Sequence, residues 1–559
     1  MINLIETVSV CSIIIIILMI CIQFIKKVTK KNDINTKLDE WIEKNKKRLF
    51  IIILTIGILV RVVEIGNIPK GLHIDEAGMA YDSYCIAKYG TDRYGEEHPL
   101  YFTNFGQGQS ALCTYITSIF VGIFGINTWA IRLPIATISI LAMITMYFRV
   151  KKFKNTKMAI IFLFLMAINP WHIMQARWGL DCNLLSSFLV FSLFAFSKAK
   201  SPLGYVGAGI VIGITLYTYA LSYIIIPIFL AMTLVYLLYL KKITWKNIIF
   251  LGIPIFIFAL PLIYMILLNN HIVPKINIPF FSITELPMYR IGEISIKNIK
   301  ENLYLPIILF FGDNMIYNVP DGFGTLYYIS IPFTIIGLLE SIINVCKNIK
   351  EKKFKFDCIM LFQFIASVIC MLIIIEPKVN KANAIFIPMI YFTMIGIVYF
   401  SKEFPKLLWL LVALYIIHFI IFEIYYFYEF KNNIDSTYNT YFDDSIEEIT
   451  DYINKQDKYK DKKVHMELRT HNSSYYKKEP YIYTLISNKM KPEEFKNSIR
   501  RNSGNKLSSY DKYYFYNIQE YNYDTVYVLK YPSENLIQEF EERNFLNEKV
   551  GDYIIYYYP

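Results

Sequence analysis

The sequence predicts a polytopic α-helical membrane protein that carries a water-facing α/β domain at its C-terminal end. Three observations favour this fold class. Many separate apolar runs approach the roughly 20 residues that are needed to cross a bilayer. The chain of 559 residues is 55% hydrophobic, with a mean hydropathy of +0.37. Near residue 430 the apolar runs shorten, charges of both signs mix and tyrosine becomes abundant.

The net charge of +11 is best explained by orientation in a membrane. Lysine and arginine cluster in short connections between apolar runs, and such loops stay in the cytoplasm. This pattern argues against a nucleic-acid partner. The eight cysteines are scattered and form no CxxC pair, so neither a disulfide framework nor a cysteine metal site is indicated. The basic connections are 26–48, 149–157, 241–246 and 347–355.

The basic connections fix a topology of about twelve spans with the N-terminus outside. The first apolar run lacks the basic flank and cleavage site of a signal peptide, so it is interpreted as a retained anchor. The predicted spans lie near 8–25, 49–65, 130–149, 157–174, 183–198, 203–220, 222–240, 247–268, 327–346, 357–375, 383–400 and 405–428.

The segment 66–129 is predicted to be one long outer loop. Its apolar run at 110–125 is almost long enough to cross, but counting it as a span would put the basic connection after residue 149 outside. We therefore expect helices that lie along the membrane surface. Trp129, Trp171 and Trp178 would then sit at the outer interface, which suits amphipathic aromatic rings.

The C-terminal segment is predicted to be an extracytoplasmic α/β domain, because strand-like and helix-like patterns alternate there. The strand-like segments are 463–468, 525–531 and 552–558, and the helix-like segments are 445–456 and 533–545. The predicted domains are an anchor helix with a basic loop (1–48), a transmembrane catalytic domain (49–429) and the outer domain (430–559).

Ionisable residues at membrane depth indicate function, because burying them in a bilayer is costly. Adjacent carboxylates, Asp75 and Glu76, follow the second predicted span. Arginines at headgroup level suit a phosphate. The candidates on the predicted outer face are Asp75, Glu76, Arg132, Arg177, Asp181, Arg290, Lys378 and Lys381.

One carboxylate facing such cations is sufficient for sugar transfer from a lipid-linked phosphate. Asp75 would take the proton of an acceptor hydroxyl as that hydroxyl attacks the sugar. Phosphate is a weakly basic leaving group, so arginine contacts replace the second carboxyl that a glycosidase needs. A single displacement of this kind inverts the anomeric carbon.

Four segments together resemble the GT-C superfamily of membrane glycosyltransferases. They are GLHIDEAGMAYD (71–82), HPLYFTNFGQGQSALCTYI (98–116), NTWAIRLP (127–134) and NPWHIMQARWGLD (169–181). The nearest resemblance is to bacterial members of glycosyltransferase family 39, which includes protein O-mannosyltransferases, and to the lipid A aminoarabinose transferase. The resemblance in the pattern of apolar runs and in the order of the motifs covers roughly residues 45–425.

The resemblance implies a GT-C fold and roles for three residues. Asp75 matches the catalytic acidic position, Glu76 its acidic neighbour, and Arg132 the arginine at the outer end of the following span. The sugar donor would be a polyprenyl phosphate, with no nucleotide sugar in the site. The C-terminal domain does not look like the β-trefoil of eukaryotic protein mannosyltransferases, so the acceptor is left open among an envelope glycopolymer, a glycolipid and a protein.

Simpler interpretations of these residues stay open. The acidic pair also suits a helix N-terminus, and Arg132 and Arg177 also suit interfacial side chains that reach water. Asp181, four residues after Arg177, also suits an ion-pair partner on one helical turn.

Three other side chains near the predicted outer face are candidates for ligand contact. Lys378 and Lys381 lie in a short outer loop, against the usual charge bias, which favours contact with a lipid phosphate or an acceptor. His98, with His73, leaves a divalent cation open as a cofactor, although no fixed ligand spacing supports one and none is required by the chemistry.

Three other classes of protein compete with a lipid-linked glycosyltransferase. A flippase of lipid-linked sugars would also hold membrane charges, but it would be expected to show repeated halves and broken helices, which the sequence lacks. A non-enzymatic scaffold or sensor stays open if the outer domain is the working part. The sequence contains neither a DxD motif nor a GxxxxGK phosphate loop, which argues against a nucleotide-dependent enzyme.

Overall fold

The computed structural model describes most of the chain: residues 8, 11–12, 34–276, 280–289, 291–320, 322–403, 407–432, 436–470, 477–502 and 506–559. The predicted anchor span at 8–25 lies almost entirely outside these residues, and so does Arg290.

Contacts divide the chain into two compact units. The first consists of Met1–Ile65, Leu133–Asn270 and Arg290–Phe430, and the second of Gly66–Arg132, His271–Tyr289 and Lys431–Pro559. The loop after the second predicted span therefore groups with the C-terminal segment. The three domains drawn from the sequence stay a prediction.

The first unit is built of α-helices, most of them apolar. The longer helices of the first unit are Ile34–Val62, Thr128–Phe153 (from Leu133 onward), Thr156–Ala167, Cys182–Lys198, Pro202–Thr215, Ser222–Tyr239, Trp245–Asn269, Ile331–Lys350, Phe356–Ile373, Asn383–Glu403 and Leu407–Ile424. Short helices occupy Pro170–Gln175, Asn298–Glu301 and Leu305–Phe311, single 3-10 turns occupy Ile291–Glu293, Asn302–Tyr304 and Tyr328–Ser330, and Tyr425–Glu429 forms a π-helical turn.

Among the described residues, seven helices are long and apolar enough to cross a membrane, and four apolar helices are shorter. The protein is therefore a multi-pass membrane protein. The predicted span 157–174 is interrupted because Asn169 and Pro170 begin a new short helix, whose first turn is capped by the Asn169 side chain. The apolar run at 110–125 forms the 14-residue helix Ala111–Phe124, which is short for a span. Its placement along a membrane surface stays a prediction.

Two long helices of the first unit, Ile331–Lys350 and Asn383–Glu403, approach each other through glycine. A Cβ at Gly337 would lie 1.8 Å from the Phe392 carbonyl oxygen, and a Cβ at Gly396 would lie 1.9 Å from that of Phe333. A 2.7 Å hydrogen bond between the hydroxyls of Thr334 and Thr393 joins the same two helices. Small residues and hydroxyl pairs of this kind are typical of helix packing in lipid.

The second unit contains a seven-stranded mixed sheet. In spatial order its strands are Leu546–Val550, Tyr553–Tyr557, Thr525–Lys530, Lys463–Leu468, Tyr513–Tyr514, Leu507–Tyr510 and Arg500–Arg501. The helices of this segment are Ser436–Tyr441, Ile446–Lys455, Tyr481–Asn488, Pro492–Ser498 and Glu534–Glu542, with a 3-10 turn at Asp457–Tyr459. The predicted α/β character of this segment is confirmed.

The loop part of the second unit has two helices with a hairpin between them. The helix Ile74–Tyr89 carries the adjacent carboxylates and is called the acidic helix below. The hairpin pairs Tyr101–Asn104 with Gln107–Ser110, and the helix Ala111–Phe124 follows it. The strand Leu72–His73, directly before the acidic helix, pairs antiparallel with Phe442–Asp443.

Candidate active site

The acidic helix begins with a reciprocal cap. The backbone N–H of Asp75 donates to Nδ1 of His73 at 3.1 Å, and the backbone N–H of His73 donates to Oε2 of Glu76 at 3.3 Å. Two backbone N–H groups that have no partner within the helix are thereby satisfied. The sequence His-Ile-Asp-Glu therefore fixes both the start of the helix and the direction of its first carboxylates.

His73 is an uncharged neighbour of Asp75. Burial of the imidazole lowers the pKa of His73 to about 3. The 3.7 Å separation between His73 Nδ1 and Asp75 Oδ2 is consequently not an ion pair near neutral pH. With Nδ1 accepting the Asp75 N–H, the ring proton belongs on Nε2.

Asp75 is the carboxylate of this cap that reaches solvent, because 45% of its side chain is exposed. It lies in the first turn of the helix, where the N-terminal dipole favours a negative charge. Its Oδ1 accepts a hydrogen bond from Nδ2 of Asn104, in the hairpin, at 3.4 Å. A carboxylate with this degree of exposure can meet a molecule that approaches from solvent.

Glu76 has the opposite environment. Its side chain is fully buried, and so is the guanidinium of Arg132, which binds it in a bidentate manner. The Nε of Arg132 donates to Oε1 at 2.8 Å, and Nη2 donates to Oε2 at 2.9 Å. Arg132 also donates to the backbone carbonyls of Pro69 at 2.8 Å and of Gly71 at 2.5 Å.

The structure therefore brings Asp75, Glu76 and Arg132 together, but Arg132 contacts Glu76 and backbone rather than Asp75 in the hydrogen bonds described above. Its guanidinium fastens Pro69 and Gly71, which lead into the acidic helix. Contact between Arg132 and a donor phosphate stays a prediction, and it would require this buried ion pair to open.

A second buried ion pair lies behind Asn104. Asp82, two turns after Asp75 on the acidic helix, binds Arg93 through two side-chain hydrogen bonds of 3.0 and 2.7 Å. Both side chains are buried. Nη2 of Arg93 also donates to Oδ1 of Asn104 at 3.1 Å. Sequence reasoning missed these three residues, although the spacing of Asp75 and Asp82 on one helical face was a signal for them.

The C-terminal segment holds the strand that precedes the acidic helix. Besides the pairing of Leu72 with Asp443, the hydroxyl of Tyr483 donates to the Leu72 carbonyl at 2.8 Å. Asp443 is buried with Lys477, whose Nζ lies 2.6 Å from Oδ2, and Lys530 lies 4.0 Å from the same oxygen. Burial alone would raise the pKa of Asp443. The positive charges of the two lysines outweigh this effect and hold the pKa below its ordinary value.

In the first unit, Arg177 is fully buried. Its Nη1 donates to the Val60 carbonyl at 2.8 Å, and its guanidinium lies 5.6 Å and 5.0 Å from the ring centres of Tyr426 and Phe427. Asp181 caps the helix Cys182–Lys198, with Oδ1 accepting the Cys182 N–H at 2.8 Å. Contact of either residue with substrate stays a prediction.

Arg61 forms a buried network in the first unit that sequence reasoning also missed. It donates to the carbonyls of Met166 at 2.9 Å and Ala167 at 3.0 Å, and its Nη2 lies 2.6 Å from Nδ1 of His172. The signal was an arginine inside the apolar run of the predicted span 49–65.

Three further candidates have mainly local partners among the described contacts. Lys378 lies 3.9 Å from Glu376, and Lys381 donates to the Ile375 carbonyl at 2.9 Å. His98 sits in the second unit with a positive φ of 43°, a conformation that L side chains rarely adopt. Their proposed contacts with substrate stay predictions.

Within the described part of the chain, no group of three or more His, Cys, Asp and Glu side chains is arranged to hold a metal ion. The divalent cation that the sequence leaves open as a cofactor stays a prediction.

The fold is similar to that of two solved structures of ArnT from Cupriavidus metallidurans. The apo structure and the structure bound to undecaprenyl phosphate each give a TM-score of 0.53 at 10% sequence identity, over 91% of this chain and 97% of ArnT. No protein-family profile and no curated protein sequence matches the chain.

These similarities show the fold of the chain over most of its length. The chain shares a multi-helical membrane fold with ArnT, as the resemblance of the sequence motifs predicts. The particular relative with which it shares this fold is ArnT, an aminoarabinose transferase, and at 10% identity the likeness concerns the fold alone.

Proposed function

We propose that this protein is a glycosyltransferase that moves a sugar from a polyprenyl-phosphate carrier to an acceptor hydroxyl. The observation that carries the proposal is the half-exposed carboxylate of Asp75 in the first turn of the acidic helix, beside the fully buried carboxylate of Glu76. The GT-C fold supports it, and the ArnT structure of that fold binds undecaprenyl phosphate.

The two adjacent carboxylates have different tasks in this proposal. Both oxygens of Glu76 already accept hydrogen bonds, from Arg132 and from the backbone of His73. Glu76 is therefore a positioning residue, and Arg132 acts with it by fastening the chain that enters the helix. Asp75 has a solvent-facing side and acts as the base.

The reaction proposed is a single displacement. The acceptor hydroxyl oxygen attacks the anomeric carbon and passes its proton to a carboxylate oxygen of Asp75, while the bond from that carbon to the carrier phosphate breaks. The bond electrons leave with the phosphate, and the anomeric centre inverts. His73 cannot serve as an acid in this step at neutral pH, because burial keeps its imidazole uncharged.

The proposed setting is the outer face of the cell membrane, where the topology from the basic loops puts the acidic motif and the C-terminal segment. The partners are then a polyprenyl-phosphate sugar and an acceptor that is an envelope glycopolymer, a glycolipid or a protein. Among the site residues, Arg177 is kept as a proposed contact of the donor phosphate, because its guanidinium is fully buried in the helical first unit and carries the positive charge that suits a phosphate.

The experiment uses the purified full chain in lipid nanodiscs with a panel of undecaprenyl-phosphate sugars. Wild-type protein is expected to release undecaprenyl phosphate, and Asp75→Asn to abolish release, because an amide keeps the size of the side chain but does not accept the proton. Asp461→Asn removes an exposed carboxylate elsewhere in the second unit and is the matched control.

Two outcomes would contradict the proposal. Near-normal release by Asp75→Asn would remove Asp75 from the chemistry. If no bare lipid phosphate forms from any sugar of the panel, while intact donor moves between leaflets when the protein is placed in closed vesicles, a flippase would be favoured instead.

A further inference from the structure

We propose that Asn104 is a positioning residue that keeps Asp75 ionised and ready to accept a proton, and that the buried Asp82–Arg93 pair fixes the direction of the Asn104 amide. The inference deepens the proposed function and rests on Asp75 being the base.

The four side chains form one hydrogen-bonded series in the second unit. Asp82 holds Arg93 through two side-chain bonds, Arg93 donates to Oδ1 of Asn104 at 3.1 Å, and Nδ2 of Asn104 donates to Oδ1 of Asp75 at 3.4 Å. Asp82, Arg93 and Asn104 are buried, whereas Asp75 is half-exposed. The series therefore runs from the interior to the surface and ends on the proposed base.

The direction of the Asn104 amide follows from the chemistry of arginine. A guanidinium only donates hydrogen bonds, so the atom of Asn104 that faces Arg93 must be the amide oxygen. The NH₂ group then has to face Asp75. Arg93 is itself held in place by Asp82, which also accepts the backbone N–H of Arg93 at 3.0 Å.

An N–H donor beside a carboxylate favours its charged form. Other groups near Asp75 include His73, which is uncharged because burial lowers its pKa, the adjacent Glu76, and Tyr483 of the C-terminal segment. The negative charge of Glu76 is compensated by the guanidinium of Arg132. The hydrogen bond from the Asn104 amide therefore opposes protonation of Asp75.

The acidic helix leaves room for this series at Gly78. A Cβ on Gly78 would lie 2.3 Å from Oδ1 of Asn104 and 2.8 Å from Nη2 of Arg93. Asp75, Gly78 and Asp82 lie on one face of the helix, at spacings of three and four residues. Glycine therefore lets Asn104 and Arg93 approach the helix between its two aspartates.

The test measures protonation of Asp75 without any sugar donor. A hydrophobic carbodiimide modifies protonated carboxyl groups, and mass spectrometry of peptides reports modification at position 75 as a function of pH. We compare wild-type protein with Asn104→Ala, which removes the amide, and with Asn104→Asp, which keeps the size and an acceptor for Arg93 but loses the donor.

The labelling midpoint of Asp75 is expected to rise by about one pH unit in Asn104→Ala, and further in Asn104→Asp because a like charge is added. At a pH above both midpoints, one unit corresponds to about tenfold more protonated Asp75. Thr103→Ala, on the opposite face of the same strand, is the matched control and should leave the midpoint unchanged.

Thermal unfolding distinguishes positioning from simple loss of structure, since Asn104→Asp is expected to fold like wild type. Unchanged midpoints in both Asn104 variants would overturn the inference. Shifted midpoints with unchanged sugar release would leave the inference standing and would count instead against Asp75 as the base.

Discussion

The carboxylate of Glu76 and the guanidinium of Arg132 form a fully buried bidentate ion pair across 56 positions of sequence. Neither group has bulk water to compensate its charge, so each depends on the other and on nearby backbone. The pair also ties Pro69 and Gly71 to the start of the helix Thr128–Phe153. The backbone that leads into the acidic motif is therefore held by a single side chain.

Breaking this pair from one side should be strongly destabilising. We expect Arg132→Met to lower the free energy of unfolding by about 3–5 kcal/mol, because it leaves a buried carboxylate without its cation. The double variant Glu76→Leu/Arg132→Met should be less destabilised than Arg132→Met alone, since no buried charge remains. Thermal unfolding of the full chain measures these two variants and Glu76→Leu alone. A double variant that loses as much as the sum of the single variants would contradict the coupling.

Lys477 is expected to stabilise the C-terminal segment about as strongly as Arg132 stabilises the start of the acidic helix. Lys477→Met removes the cation 2.6 Å from the buried Asp443 and leaves Lys530 at 4.0 Å, so we expect a loss of about 3 kcal/mol or more. The matched control is Lys491→Met. Lys491 forms an exposed pair with Glu494 at 3.5 Å, and its loss should change stability by less than about 1 kcal/mol. Equal melting temperatures for the two variants would show that burial does not strengthen the first pair.

The sequence predicted the helical membrane architecture and the α/β segment well, because apolar length and alternation are local signals. The predicted strand 463–468 coincides with Lys463–Leu468. The helix N-terminus that the sequence left open for Asp75 and Glu76 is present, whereas the catalytic role of Asp75 stays a prediction.

The hydrogen-bond partners of the site residues could not be predicted from the sequence. The contact between Asn104 and Asp75 joins residues 29 positions apart, and the Glu76–Arg132 pair joins residues 56 apart, so neither leaves a periodic trace. Arg132 illustrates the consequence. An arginine at the start of an apolar run is compatible with a headgroup phosphate or a buried carboxylate, and the choice depends on tertiary contacts.

A pH dependence of stability is expected from Asp92. Burial, followed by the charge of Asp82, raises the pKa of Asp92 to about 7. A raised carboxyl pKa means that the folded state binds the proton more tightly than the unfolded state. The associated stability is fully present below about pH 4, the ordinary range of an aspartate, and is lost as the pH rises through 7.

Asp92→Asn should remove this dependence. An asparagine oxygen still accepts the backbone N–H groups of Tyr94 and Glu96, which Asp92 now binds at 2.8 and 2.9 Å. We expect the variant to melt at a higher temperature than wild type at pH 8 and to differ little at pH 4. Asp461→Asn, at an exposed position, serves as the control. Parallel melting curves for Asp92→Asn and wild type at the two pH values would contradict the assignment.

Gly78→Ala should disturb the hydrogen bonds behind Asp75 even though alanine is the better helix former. On propensity alone the change favours the helix by about 1 kcal/mol. The new Cβ would, however, lie 2.3 Å from Oδ1 of Asn104, so the amide has to move. We expect sugar release to fall and the labelling midpoint of Asp75 to rise toward that of Asn104→Ala.

Gly207→Ala separates this effect from helix propensity, because Gly207 lies in the helix Pro202–Thr215 and its Cβ would meet nothing within 4 Å. That variant should melt at or above the wild-type temperature and keep both the midpoint and the rate of sugar release. The Asn104→Ala background provides a second control. If the clash at position 78 acts through the Asn104 amide, adding Gly78→Ala to Asn104→Ala should shift the midpoint little further, and fully additive shifts would mean that the two residues act on Asp75 independently.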